Sequence, residues 1–196
     1  MNGGEVRIVR VERGFPSFAV PRVWAWTESF KDRIRDDFSA ETIEQFLEQW
    51  ETAEAGGRVS WSVLRDGELG GVIQSRPSSP IVADINFVFK PSFWGQATTK
   101  PAMEAVLAEI YATGFLKVTS SAYRDNAGVI GLLKNLGGKT EAVLEGHTVR
   151  GGSLVDVVII SLTKDRFNGG RAQQLQKERG ARVATPPGYR LVQNPS

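Results

Sequence analysis

The stretch with the clearest chemical content runs from Asn86 to Pro101, NFVFKPSFWGQATTKP. It reads as a strand, a short turn holding glycine and small residues, and a helix with proline in its first turn. Proline is tolerated there because first-turn amides have no intrahelical partner. Those free amides, with the helix dipole, make an anion site, and small residues in the turn let a phosphate approach the backbone. The same pattern also serves as a plain strand-to-helix connection, so the rest of the chain has to choose.

What the chain lacks narrows the chemistry. None of its 196 residues is cysteine and one, His147, is histidine. Disulfides, thiolate metal sites and cysteine nucleophiles are excluded. A multi-histidine metal centre is impossible, and a serine triad would have to use that single ring. What remains is work by backbone amides, a carboxylate or water on a substrate that arrives activated. Hydrophobic residues make up 41% and charged residues 23%, the profile of a soluble globular protein. No apolar run approaches the roughly eighteen residues that span a bilayer. The start, MNGGEVRIVRVERG, does not read as a secretory signal, so a cytoplasmic protein without membrane contact is expected.

The elements that must position the turn follow from periodicity. Val6 to Val11 reads as a strand. Residues 15–37, with Pro16, Pro21, Trp24, Trp26 and Phe30, read as a loop leading into an amphipathic helix. Ser39 is the expected N-cap, and Ile43, Phe46, Leu47 and Trp50 share one face. Strands over 59–65 and 69–75 are joined by Asp66-Gly67, a strong hairpin signal. Residues 76–80, RPSSP, read as a loop. A strand over 83–90, a helix over 99–113 stopped by Gly114, a strand over 115–122 and a short helix over 126–136 follow. Strands over 139–145 and 154–162 close the pattern. The second of these, LVDVVIISL, is apolar enough to predict burial on both faces. This order implies an α/β domain with helices on a mixed sheet and at least one parallel crossover.

The turn segment resembles the pyrophosphate-binding signature of GNAT acetyltransferases, in the form P-x-x-W-G-x-G-Y-A-T-E-A of the ribosomal-protein-alanine (RimJ/RimL-like) branch. Trp94, Gly95 and Thr98-Thr99 lie where that pattern has Trp, Gly and Tyr-Ala. The resemblance continues through Ser121 to Asn126, Leu132 to Gly138 and Val155 to Leu162, and upstream through Trp61 to Val63 and Asp66 to Ile73, covering about residues 59–165. The departures are Ala97 for the second glycine, Thr99 at the small third position, Lys100-Pro101 for the usual Glu-Ala, and Gly138 for a phenylalanine.

The resemblance implies the GNAT fold, a mixed central sheet of about six to seven strands flanked by helices. It implies acetyl-CoA as acyl donor and N-acetyl transfer to a primary amine of a small molecule or a protein. Backbone around Trp94, Gly95, Gln96, Ala97, Thr98 and Thr99 would hold the CoA pyrophosphate. The strand edge at Phe87, Val88 and Phe89 would bind the pantetheine arm as an added strand, with the amide of Val88 or Phe89 as oxyanion donor. Asn126 would contact the arm or cap its helix, or both. Asp84 and Glu145 are the candidate bases. His147 reads as an exposed loop histidine. The family's usual tyrosine acid is missing, and Tyr123 is a weak substitute. Trp24, Trp26, Phe30 and Phe38 lie where relatives build an acceptor-side lid.

A composition shift after Phe167 divides the chain into an acyltransferase domain, 1–167, and a basic tail, 168–196. From Lys164 onward there are seven Lys or Arg against two acidic residues, about +5, so the body carries about −3 of the net +2. Such a tail can solvate freely, attract nucleic acid, or pack on a second copy in a homodimer through Leu175, Val183, Tyr189, Leu191 and Val192. A GNAT fold that had lost its activity and served as a binding module is the alternative reading.

Overall fold

The computed structural model describes residues 5–11, 19–37, 39–95 and 97–171. Seven strands form one sheet in the order β1-β2-β3-β4-β5-β7-β6. They are β1 (Val6–Val11), β2 (Val59–Arg65), β3 (Glu68–Ser79), β4 (Val82–Phe89), β5 (Lys117–Tyr123), β6 (Lys139–Arg150) and β7 (Ser153–Thr163). Every pairing is antiparallel except β4 with β5. The parallel pair is bridged by helix α4 (Thr99–Ala112), the expected crossover.

Two apolar layers sandwich the sheet. Val63, Ile73, Ile85 and Phe89 face α4, α5 (Ala127–Asn135) and the helical residues 164–171, where Met103, Leu107, Leu133 and Phe167 are buried. Val72, the neighbour of Ile73, points the other way, onto α1 (Ala19–Glu28) and α3 (Ile43–Ala55) with Val20, Val23 and Trp50. Alternate residues of a strand thus serve opposite cores. Asp66 and Gly67 take φ of 53° and 79°, both left-handed as a two-residue hairpin turn of the mirror type requires.

Four expectations change. The segment read as a loop before residue 37 holds α1 and a four-residue helix, α2 (Lys31–Ile34). Pro21 disguises α1, but it is the third residue of that helix, where its missing N–H costs nothing. The cap of α3 is Thr42, not Ser39. Thr42 Oγ1 accepts from the Gln45 amide at 3.3 Å, while Gln45 Oε1 accepts from the Thr42 amide at 3.4 Å, a reciprocal capping box. Ser39 instead donates to Asp36 Oδ1 at 2.9 Å. Strand β3 runs on through Pro77 to Ser79, because β2 stops opposite Ser75 and asks no amide of Pro77. In β7 the buried run starts at Val157, and Leu154 is 72% exposed beside the β6–β7 turn.

Among the described residues no helix is long and apolar enough to cross a membrane, and no group of three or more acidic or histidine side chains could hold a metal.

Candidate active site

The parallel pair β4–β5 is paired over only three rungs, Val82–Lys117, Ala83–Val118 and Asp84–Thr119. Beyond them β4 keeps β3 as a partner to Phe89, and β5 keeps β7 to Tyr123, but the two strands part from each other. A wedge opens in the middle of the sheet, with an edge of β4 and an edge of β5 bare along it. A cavity of about 520 Å³ fills its wide end, bordered by Asn86, Phe87, Ser121, Tyr123, Asn126 and Val157 among others. A second, of about 320 Å³, adjoins it on the α1–α3 side and shares Ile34, Asn86 and Phe87 with it.

At the far end of β4 the chain turns through Pro91–Phe93 into α4. Trp94 Nε1 donates to the Phe89 carbonyl at 2.8 Å, pinning the turn to the strand. Gly95 sits at φ +113° with open space where a Cβ would go. Its carbonyl accepts from the Thr98 and Thr99 amides, at 3.3 and 3.0 Å, and from Thr99 Oγ1 at 2.6 Å. The turn is held from below by Arg65. That guanidinium donates to Thr98 Oγ1 at 3.1 Å and to the Ser92 carbonyl at 3.0 Å, and lies 4.4 Å from the centre of the Phe93 ring. Lys100, which follows the turn, is paired with Glu104 at 2.7 Å. Gln96 lies outside the described residues.

The sequence matches the acetyltransferase (GNAT) domain model over residues 12–139. The chain belongs to the GNAT acetyltransferase family. No curated protein matches it. Among solved structures it is similar to RimJ of Mycobacterium smegmatis in complex with CoA-disulfide, at 13% identity and TM-score 0.72, over 90% of each chain. It is also similar to a ribosomal-protein-alanine N-acetyltransferase from Brucella melitensis, at 12% identity and TM-score 0.65, over 79% of this chain and 99% of the other. The spermidine/spermine N-acetyltransferase SpeG of Vibrio cholerae aligns at 14% identity and TM-score 0.69, over 85% and 98%. As a GNAT acetyltransferase the protein moves an acetyl group from acetyl-CoA to an amine.

Within this GNAT domain the expected site residues separate into groups. Phe87, Val88 and Phe89 end β4, Trp94, Gly95, Ala97 and Thr98 lie in the turn that follows, and Thr99 opens α4. Asn126 caps α5, its Oδ1 accepting from the Val129 amide at 3.2 Å, and it also borders the larger cavity. Asp84 stands at the closed apex of the wedge. Thr119 Oγ1 donates to its Oδ1, and Arg76 Nε lies 3.5 Å from its Oδ2. Glu145 is exposed in β6 and borders neither cavity.

His147, read from sequence as an exposed loop histidine, is exposed as expected, but it lies within β6 and borders the larger cavity. The reason is a bulge: Leu144 faces Val157 and Thr148 faces Val155, so three β6 residues oppose the single Asp156. Gly146, at φ +54°, donates its amide to Asp156 Oδ1 at 3.0 Å. That amide and Arg124 hold the Asp156 carboxyl below its usual range. A glycine in the middle of an apolar strand pattern was the available signal.

Tyr123 is half-buried at the open end of β5, with the Arg150 guanidinium 4.9 Å from its ring centre. Burial, then the charge of Asp36, pushes the phenol up to about 12 against a smaller opposing pull from Arg150. It stays a proton donor throughout the neutral range. Asp36 itself accepts from Ser39 and from Thr148 Oγ1 at 2.9 Å each. Asp37 accepts from the Gly151 and Gly152 amides at 2.8 and 3.0 Å. These two carboxylates strap the α2–α3 connection to the β6–β7 hairpin. Of the lid aromatics, Trp24 packs on Phe46 at 5.3 Å and Phe30 meets Trp94 edge-on at 5.3 Å, while Phe38 lies outside the described residues.

Proposed function

We propose that acetyl-CoA enters the wedge with its diphosphate on the Trp94–Thr99 turn, its pantetheine along β4 from Phe89 towards Phe87, and its thioester beside Asn86, Tyr123 and Asn126. The observation that carries this reading is the three-rung β4–β5 ladder. A bare strand edge in the middle of a sheet leaves polar groups to satisfy, and the amide-rich pantetheine arm can bond to them as a strand would. The turn suits the diphosphate because Gly95 leaves its outer face open and α4 begins there. The Thr98 and Thr99 amides are spent on the Gly95 carbonyl, so the amides of the turn that remain free meet the anion. A wedge-facing amide of β4 near Phe87 then meets the oxyanion that forms as an amine attacks the thioester. The smaller cavity, between α1, α3 and the sheet, is the entrance for the amine. This keeps donor and acceptor on opposite approaches to one carbonyl. A cytoplasmic location follows from the intracellular supply of the donor.

Thermal unfolding with CoA and acetyl-CoA tests this directly. Ligand at a hundred times its dissociation constant should stabilise the fold by about 2.7 kcal/mol. Gly95→Asp puts a fixed anion on the open face of the turn and should abolish the shift, whereas Gly95→Ala, which carries the same backbone strain at φ +113° without the charge, should keep part of it. Thiol release from acetyl-CoA with a peptide bearing N-terminal alanine, with spermidine and with simple alkylamines then identifies the acceptor class. An unchanged melting temperature at millimolar CoA would overturn the proposal.

A further inference from the structure

Among the described residues, three titratable side chains border the wedge cavity: Asp36, Tyr123 and His147. Asp36 is held through both carboxylate oxygens, by Ser39 and by Thr148, in fastening the strap. Tyr123 is a donor, not an acceptor, of protons near neutrality. The imidazole remains, and a neutral imidazole carries a nitrogen lone pair that can accept a proton. It sits at the rim of the cavity: His147 is exposed in β6, at the end of the bulge over Glu145–His147 that left-handed Gly146 pins to Asp156. Bulges occur beside active sites. The two carboxylates expected to act as base are placed elsewhere, Asp84 bound at the apex and Glu145 outside the cavity.

We propose that His147 is the catalytic base, taking the amine proton at the acetyl end of the wedge; this rests on the acetyl-CoA placement above. The acceptor nitrogen attacks the thioester carbon, forming the C–N bond, and an N–H proton passes to the free imidazole nitrogen. The C–S bond breaks with its electron pair on sulfur. The thiolate takes a proton from Tyr123 or from water, the imidazolium gives its proton to solvent, and a tyrosinate or hydroxide so formed recovers one from solvent, leaving one amide, one thiol and the enzyme as it began.

The single histidine gives a test that needs no acceptor. Diethylpyrocarbonate modifies a neutral imidazole, and the absorbance rise at 240 nm then reports His147 alone. Saturating acetyl-CoA should slow that reaction at least tenfold, whereas adenosine 3′,5′-bisphosphate, which lacks the pantetheine arm, should not. If acetyl-CoA raises the melting temperature but leaves the modification rate unchanged, or if the nucleotide protects equally, His147 is not at the acetyl end and the proposal fails alone. If acetyl-CoA neither stabilises nor protects, the cofactor placement fails with it. With the best amine from the thiol-release survey, His147→Ala should lose about a hundredfold in turnover at unchanged acetyl-CoA affinity. Added imidazole should restore part of the rate. A full rate in His147→Ala, or a loss that imidazole does not rescue, would overturn the base assignment.

Discussion

Asp84 of β4 stands opposite Thr119 of β5 and accepts the hydrogen bond from its hydroxyl on the last rung before the two strands part. The pair works as a clasp at the apex of the wedge, with Arg76 adding a partly exposed charge at 3.5 Å. Asp84→Asn keeps an acceptor for Thr119 and should leave turnover within about threefold of the parent, since an exposed ion pair contributes little. Asp84→Ala removes the acceptor and should cost about 1–2 kcal/mol of stability, with weaker acetyl-CoA binding as the apex loosens. Urea denaturation and acetyl-CoA titration of both variants decide this. A loss of two or more orders in turnover for Asp84→Asn, with binding intact, would make Asp84 the base instead.

Tyr123 gives a pH-dependent prediction. Its phenol is raised to about 12 from the ordinary 10, so between those values the unfolded chain has lost a proton that the native state still holds. The native state binds more protons there, and stability must fall as pH rises through that window. Below pH 10 the contribution is constant. Tyr123→Phe should therefore flatten part of the alkaline loss of stability. Tyr111, raised further by burial, accounts for another part. Equilibrium unfolding at pH 9, 10 and 11 measures the difference. The same variant should lower turnover by about tenfold if the phenol serves the leaving thiolate, with acetyl-CoA affinity unchanged.

Two glycines should respond to alanine with opposite signs. A Cβ at Gly70 would lie 2.3 Å from the Phe93 ring, and Phe93 is wholly buried beneath the turn. Gly70→Ala should destabilise by about 1–3 kcal/mol through overpacking and weaken CoA binding, because Phe93 also carries the Arg65 guanidinium. Gly131 lies inside α5 with open space at its Cβ position. Gly131→Ala should stabilise by about 0.5–1 kcal/mol. Melting temperatures of the two variants in one buffer suffice.

The core closes with β7 and with Phe167, which packs on Tyr111 at 5.4 Å. Deleting residues 172–196, which lie outside the described residues, should leave CoA binding and the melting temperature unchanged. A drop in mass by light scattering on deletion would instead assign the tail to a subunit interface. Weaker polyanion binding, most pronounced at low salt, would assign it to nucleic acid.

The sequence alone determined the order of the seven strands with α3, α4 and α5, the crossover between β4 and β5, and the turn at Trp94–Thr99, because each rests on local signals: periodicity, a left-handed glycine, a first-turn proline. Those local signals also misled where a neighbour overrode them, as with Pro21 inside α1 and with Thr42 displacing Ser39 as cap. Tertiary structure decided what depends on two distant segments meeting. Only the pairing register shows that β4 and β5 share three rungs and then separate. Only the β6–β7 register reveals the bulge that turns His147 from a loop residue into a cavity residue. Asp84 reads as a free carboxylate until Thr119, 35 residues away, closes on it. A side chain's chemical role depends on which groups share its surroundings, and spacing along the chain fixes that only for neighbours within a turn of helix or a rung of strand.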